Sequence, residues 1–326
     1  MADKVLDTIL LLALPASGKS EVRRYLELLS PADRSKDFHM GPNVQFDDFP
    51  YVHVMRRIDD ELAARRKGRI FFNSSDKPFQ NPRDWGTLTA LLNDDYQDLL
   101  SAKTAAPASA AEHLCDRIDA AHSAVGGAER LKLLDAATRK GVSTALEKEC
   151  RDLLDERRSI QGLDLTGKTV VIEFARGGPH GSPLPLPEFY GYRYSLSQLS
   201  DAILRKAVIL YIWVTPEESR RKNEARNDPN DPGSILHHGV PLEVMLNDYG
   251  CDDFEWLESE ADKPGTVTVE AHGKKYSIPF ARFDNRVDKT SFLREDQKLW
   301  KPADVKAVHD GMKGALDKLA GLAAAV

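Results

Sequence analysis

The stretch Thr8-Ile-Leu-Leu-Leu-Ala13-Leu-Pro-Ala-Ser-Gly-Lys-Ser20 decides the fold. Its first six residues form a short, continuous apolar run, which suits a strand buried on both faces of a parallel sheet. After Ser20, the residues Val22, Tyr25, Leu26 and Leu29 recur at helical spacing. Strand, turn and helix in that order open an α/β unit. The turn matches the phosphate-cradling pattern GxxxxGK[ST], except that Ala13 replaces the first glycine. The backbone of Ala13, Pro15, Ala16, Ser17 and Gly18 would wrap a phosphate, and the helix N-terminus would add positive potential. Gly18 lets the backbone approach closely, Lys19 reaches the β- and γ-phosphates, and Ser20 ligates Mg²⁺. Alanine is compatible with position 13 where φ is negative.

Working outward, Asn43 to Phe46 reads as a second strand ending at Asp47-Asp48, and Tyr51, Met55, Ile58 and Leu62 form a helical stripe. From about residue 71 to 166 the character changes. Segments near 86–100 and 109–124 read as helical. Leu131, Leu134, Val142, Leu146, Cys150 and Leu153 mark one face of a long charged helix, and 102–111 reads as a loop. The α/β signal returns with Thr169 to Phe174, a helix over Leu196 to Lys206, the strand Val208 to Val214 and a helix opened by Pro216. Thr266 to Glu270 and Tyr276 to Phe283 suggest a hairpin around His272-Gly273. Pro302 to Leu322 reads as an amphipathic helix with a frayed end at 323–326. The expected organisation is a core of residues 1–70 and 167–326, interrupted by a helical insertion over 71–166. The fold class is α/β, a three-layer arrangement around a parallel central sheet.

The whole chain has 326 residues, 41% hydrophobic and 29% charged, with a formal net charge of −6. A mildly acidic balance argues against a sequence-independent nucleic-acid coat, which needs a dense cationic surface. Cys115, Cys150 and Cys251 are odd in number and far apart, so neither a disulfide framework nor a thiolate zinc site is expected. A reducing, cytoplasmic setting fits that cysteine usage. The apolar run at Ile9 to Leu14 is too short to span a bilayer, and no other run reaches the required length of about 18 residues. No membrane partner is expected.

The loop resembles that of the P-loop kinases, in which Gly-Leu-Pro-Gly-Ser-Gly-Lys-Ser is a common form. This chain keeps Leu14, Pro15, Ser17, Gly18, Lys19 and Ser20, and departs at Ala13 and Ala16. The resemblance is to the broad group of nucleoside and nucleotide kinases. It covers the α/β parts, about two thirds of the chain, and not the insertion. Phe-Asp47-Asp48-Phe-Pro-Tyr looks like the Asp-Asp-Phe-Tyr region of uridine kinase-like enzymes, where an acid orients the acceptor hydroxyl, takes its proton or holds Mg²⁺ through water. Either aspartate suits that role, and either would also cap a helix. Glu173-Phe-Ala-Arg176 resembles the Glu-Arg pair of deoxynucleoside kinases, at longer spacing. The resemblance implies that Glu173 supports Mg²⁺ and that Arg176 holds a phosphate or the substrate, with Gly177-Gly178 leaving room for close approach.

Thr215 to Arg226 looks like the helix that enters the lid of nucleotide kinases, here spanning 216–240. The resemblance implies that Arg220, Arg221 or Arg226 closes over the transferring phosphate. His237-His238 lacks a third ligand and is a poor metal site. Phe283-Asp-Asn285 resembles the strand-to-loop corner near the adenine of these kinases. Together these features imply ATP- and Mg²⁺-dependent phosphoryl transfer to a small-molecule acceptor. The alternative is a nucleotide-gated switch that hydrolyses ATP slowly and moves the insertion between partner-binding states. A switch would need neither an acceptor acid nor an arginine lid.

Overall fold

The computed structural model describes residues 5–226 and 239–325. In chain order the first half comprises β1 (Thr8–Leu12), α1 (Lys19–Leu28), α2 (Pro31–Phe38), β2 (Asn43–Asp47), α3 (Phe49–Ala64), α4 (Asp84–Leu100), α5 (Ala110–Ala124) and α6 (Ala136–Ser159). The second half comprises β3 (Thr169–Phe174), α7 (Gly191–Ser197), α8 (Asp201–Leu204), β4 (Ala207–Trp213), α9 (Pro216–Arg226), α10 (Leu242–Asn247), α11 (Phe254–Ser259), β5 (Thr266–Ala271), β6 (Lys274–Asp284) and α12 (Pro302–Ala325). The strands form one sheet in the order β2-β3-β1-β4-β6-β5. The first five run parallel, and β5 pairs antiparallel with β6 at the edge.

The sheet is buried on both faces, and β1 shows why its sequence has no polar alternation. Leu10 and Leu12 enter one core with Phe46, Ile172, Tyr211 and Phe254, while Ile9 and Leu11 enter the other with Val22, Leu26, Val308 and Met312. A strand sandwiched this way must be apolar at every position. α1, α2 and α12 cover the second face, and α4, α7, α8 and α11 line the first. The result is a helix–sheet–helix sandwich.

A third core joins α3 to the helices that follow it. Tyr51, Met55, Ile58 and Leu62 pack with Leu88 and Leu91 of α4, Leu114 and Ile118 of α5, and Val142 and Leu146 of α6. α4 serves two cores, because Leu92, Tyr96 and Leu99 on its other side meet the sheet. α3, placed with the first part of the core by its position in the chain, therefore packs as a member of the helical body.

Several local readings differ from the structure. The helix expected over 196–206 is two short ones, because the Ser200 hydroxyl caps α8 by accepting from the Ile203 N–H. Leu131 and Leu134 precede α6, which starts after Asp135 accepts from the Thr138 N–H at 2.9 Å. Ala323 to Ala325 remain helical rather than frayed. α2 had no expected counterpart; Ser30 caps it and Pro31 opens it. The hairpin makes the edge of the sheet antiparallel. Among the described residues no helix is long and apolar enough to cross a membrane.

Candidate functional site

Five parallel strands release their chains at one edge of the sheet, where ligands gather in α/β folds. The loop after β1 lies between the ends of its neighbours β3 and β4. The chain leaves β1 toward β2 on one side and β4 toward β6 on the other, so the direction of connection switches between β1 and β4, and such switch points are where open α/β sheets bind ligands. Gly18 takes φ +107° just ahead of α1, and Ala16 takes φ +53°. Ala13 does not share that left-handed geometry, so its side chain is accommodated. The first intrahelical bond runs from the Val22 N–H to the Gly18 carbonyl. The amides of Lys19, Ser20 and Glu21 therefore have no partner within α1 and point toward the loop. This concentrates donors and the positive end of the helix dipole where an anion would sit.

The Lys19 ammonium lies inside the loop, 3.2 Å from the Ala13 carbonyl and 3.4 Å from that of Leu14. Burial lowers its pKa, while Glu173 and Asp48 partly oppose that shift. The loop is braced from behind. The Asn285 amide donates to the Ser17 carbonyl at 2.7 Å and to Thr290 Oγ1 at 2.9 Å, and Ser219 of α9 donates to the Pro15 carbonyl at 2.7 Å. A side chain at position 18 would collide with Thr290 and Asn285, so this approach requires glycine. Asn285, read from sequence as part of a strand-to-loop corner, braces the loop after β1.

The two aspartates separate into distinct environments. Asp47 pairs in register with Glu173, which in turn pairs with Leu11 at the foot of the loop. Its Oδ1 accepts from the Phe49 N–H two residues on, in the turn that leads into α3. Burial, then the neighbouring Glu173 and Asp48 charges, push its carboxyl up to about 6. Glu173 is bonded by Arg23 at 3.2 Å. Two crowded carboxylates, Asp47 and Glu173, are the donor type that suits a hard cation keeping several waters, as Mg²⁺ does. Among the described residues, no three His, Cys, Asp or Glu side chains form a metal cage by themselves.

Asp48 turns the other way and receives the Arg176 guanidinium at 2.5 Å. Arg176 is 1% exposed. It also donates to Ser195 Oγ at 2.9 Å and lies over the rings of Trp85 and Phe174. Arg176, expected to meet a phosphate or substrate, thus has its donors engaged within the protein. Its place is behind Asp48, fixing that carboxylate.

The arginines of α9 also part company. Arg221 is exposed and paired with Glu218, and Arg220 is paired with Glu217 at 3.1 Å. Only Arg226 turns to the loop, where its charge helps to lower the Lys19 pKa. Residues 227–238, including His237-His238 and most of the proposed lid loop, lie outside the described residues.

Sequence reasoning missed a segment brought in from far along the chain. Gly177 and Gly178, read as space for a ligand, are filled by the chain at 248–251. A Cβ at Gly177 would sit 2.5 Å from the Cys251 carbonyl, and Gly250 donates to the Gly178 carbonyl at 2.9 Å. This contact brings Tyr249 within the fields of Asp48 and Arg176, next to Trp85. Burial pushes Asp248 up to about 7. Nothing local in the sequence signalled this, beyond two adjacent glycines. Compared with family models, with curated proteins and with solved structures, the chain finds no match.

Proposed function

We propose that this chain is a P-loop phosphotransferase that moves the terminal phosphoryl group of Mg-ATP to a hydroxyl of a small acceptor. The carrying observation is the convergence of Lys19, Glu173 and Asp48 at the mouth of one glycine-turned loop, each from a different parallel strand or its following turn. Lys19 and the loop amides hold the phosphates, and Ser20 with Glu173 and Asp47 suits the metal side. Asp48, fixed by Arg176, orients the acceptor hydroxyl and takes its proton as the phosphoryl group leaves the nucleotide. Arg226 neutralises charge on the transferring group. Tyr249, Asp248 and Trp85 border the acceptor side of Asp48. A nucleotide switch would have no use for a carboxylate fixed by a fully buried arginine, so the Asp48–Arg176 pair favours transfer over switching.

A thermal-shift panel of nucleosides, nucleotides and sugars, run with a non-hydrolysable ATP analogue, identifies the acceptor. With that acceptor, Asp48→Asn is expected to lower turnover by roughly 10²–10⁴ while Mg-ATP affinity stays near its original value. Normal turnover in a folded Asp48→Asn protein would remove Asp48 from the reaction.

A further inference from the structure

Glu21 sits one position beyond Ser20, in the first turn of α1, and is 2% exposed. A carboxylate there opposes the binding of phosphate, so its presence next to the loop needs a reason. Its Oε1 accepts from Arg226 Nη2 at 2.7 Å and from Arg294 Nε at 2.6 Å, and Oε2 accepts from Arg226 Nη2 at 2.9 Å. Burial works to raise the Glu21 pKa, but the two arginines outweigh it and hold the carboxyl below its usual value. The two guanidiniums repel one another, and the shared carboxylate is what allows them to lie together.

The charges around the loop do not balance. Glu173 is matched by Arg23 and Asp48 by Arg176. Lys19, Arg226 and Arg294 then face the single Glu21 carboxylate, with Asp47 next to Glu173 on the strand side. Uncompensated buried cations are costly, and a polyanion at the loop relieves that cost. Arg226 is the arginine near enough to Lys19 to lower its pKa. Its Nε is buried and has no partner among the described residues. Arg294 stands behind Glu21, with its own carbonyl accepting from Arg24 at 3.1 Å.

We infer that Glu21 is a positioning residue: backed by Arg294, it holds the Arg226 guanidinium against the phosphate loop so that it meets the terminal phosphate of a bound nucleoside triphosphate. This rests on reading the loop as a nucleotide site. It assigns the ability to tell a triphosphate from a diphosphate to a contact between α1 and α9, and it gives Glu21 and Arg294 roles that the motif alone does not.

The test is titration calorimetry with Mg-ADP and with the Mg complex of the β,γ-imido analogue of ATP. The proteins are the full chain, Glu21→Gln, Arg226→Ala, the double variant and Lys19→Ala. The unmodified chain is expected to prefer the triphosphate. Glu21→Gln and Arg226→Ala should each reduce that preference at least about fivefold while ADP affinity stays within about twofold, and the double variant should match Arg226→Ala alone, because the two act through one contact. Equal weakening of both nucleotides by Glu21→Gln, an unchanged preference, or effects that multiply in the double variant would overturn the inference. Should Glu21→Gln fail to fold, Glu21→Asp and Arg294→Gln carry the same test; a lowered triphosphate preference in either supports the inference, and none in both overturns it. The Lys19→Ala control separates the two levels. If that variant binds both nucleotides normally, the nucleotide site itself is refuted and this inference with it. If it loses binding while Glu21→Gln keeps its triphosphate preference, only the positioning role falls.

Discussion

Lys19 shows how one residue is read at two levels. The Gly-Lys-Ser triplet identified it from spacing, and the fold placed its ammonium inside the loop against the Ala13 and Leu14 carbonyls. Under the proposed function, replacing it with alanine would remove a charge-assisted, desolvated contact to phosphate. Lys19→Ala is expected to weaken Mg-ATP binding by about 2–3 kcal/mol in calorimetry, and unchanged affinity would remove the phosphate-loop reading. Asp47 carries a different prediction. Its carboxyl is raised to about 6 from an ordinary 3.8. The native state therefore holds a proton that the unfolded chain has already lost between those values. Stability falls as pH rises through 6, and the cost is fully present above it. Asp47→Asn removes the cost and keeps the turn bond from the Phe49 N–H, since an asparagine side-chain oxygen accepts there as a carboxylate does. The variant should be more stable by about 2 kcal/mol at pH 8 and nearly equal to the original at pH 4, as measured by urea denaturation. A gain independent of pH would mean that the Asp47 carboxyl is not raised in the folded protein. The separation of Asp47 from Asp48 was not legible locally, because adjacent residues differ only in the direction in which the strand end turns them.

At the scale of elements, the helical body is held by buried charge as well as by its apolar stripes. Asp95 of α4 accepts from the Tyr51 hydroxyl of α3 at 2.6 and 2.7 Å and from Arg117 of α5 at 3.0 Å, and it lies 3.3 Å from Arg157 of α6. Four helices thus meet on one carboxylate. Removing one partner of a buried ionic network leaves the others uncompensated. Asp95→Ala is expected to cost about 3–5 kcal/mol in urea denaturation, and a loss below about 1 kcal/mol would show that apolar packing alone assembles the body. The apolar stripes of α3 to α6 were visible as periodicity. This hub was not, since periodicity says which face is buried and nothing about the partner across it. α9 makes the same point: its three arginines look alike in sequence, yet Arg221 faces solvent and Arg226 faces the loop.

For the whole molecule, α4 joins the helical body to the sheet by giving one face to each core. Unfolding either core strips that helix of half its burial, so both should melt together. Trp85 reports on the helical body, and far-ultraviolet circular dichroism reports on the chain as a whole. Their urea transitions are expected to coincide, and a separate Trp85 transition in a protein whose other tryptophans are replaced by phenylalanine would show that the insertion unfolds alone. The features legible in the residues alone were local: β1 as a strand buried on both faces, the loop at 13–20, the following helix, and the hairpin at His272-Gly273. These follow from residues a few positions apart, through side-chain periodicity and the backbone freedom of glycine. Folding in three dimensions was needed for Arg176 to fix Asp48, for Arg226 and Arg294 to grip Glu21, and for residues 248–251 to fill the space at Gly177-Gly178. Those contacts join residues far apart in the chain. Their geometry depends on which strands are neighbours and in what register, and no local pattern of residues encodes that.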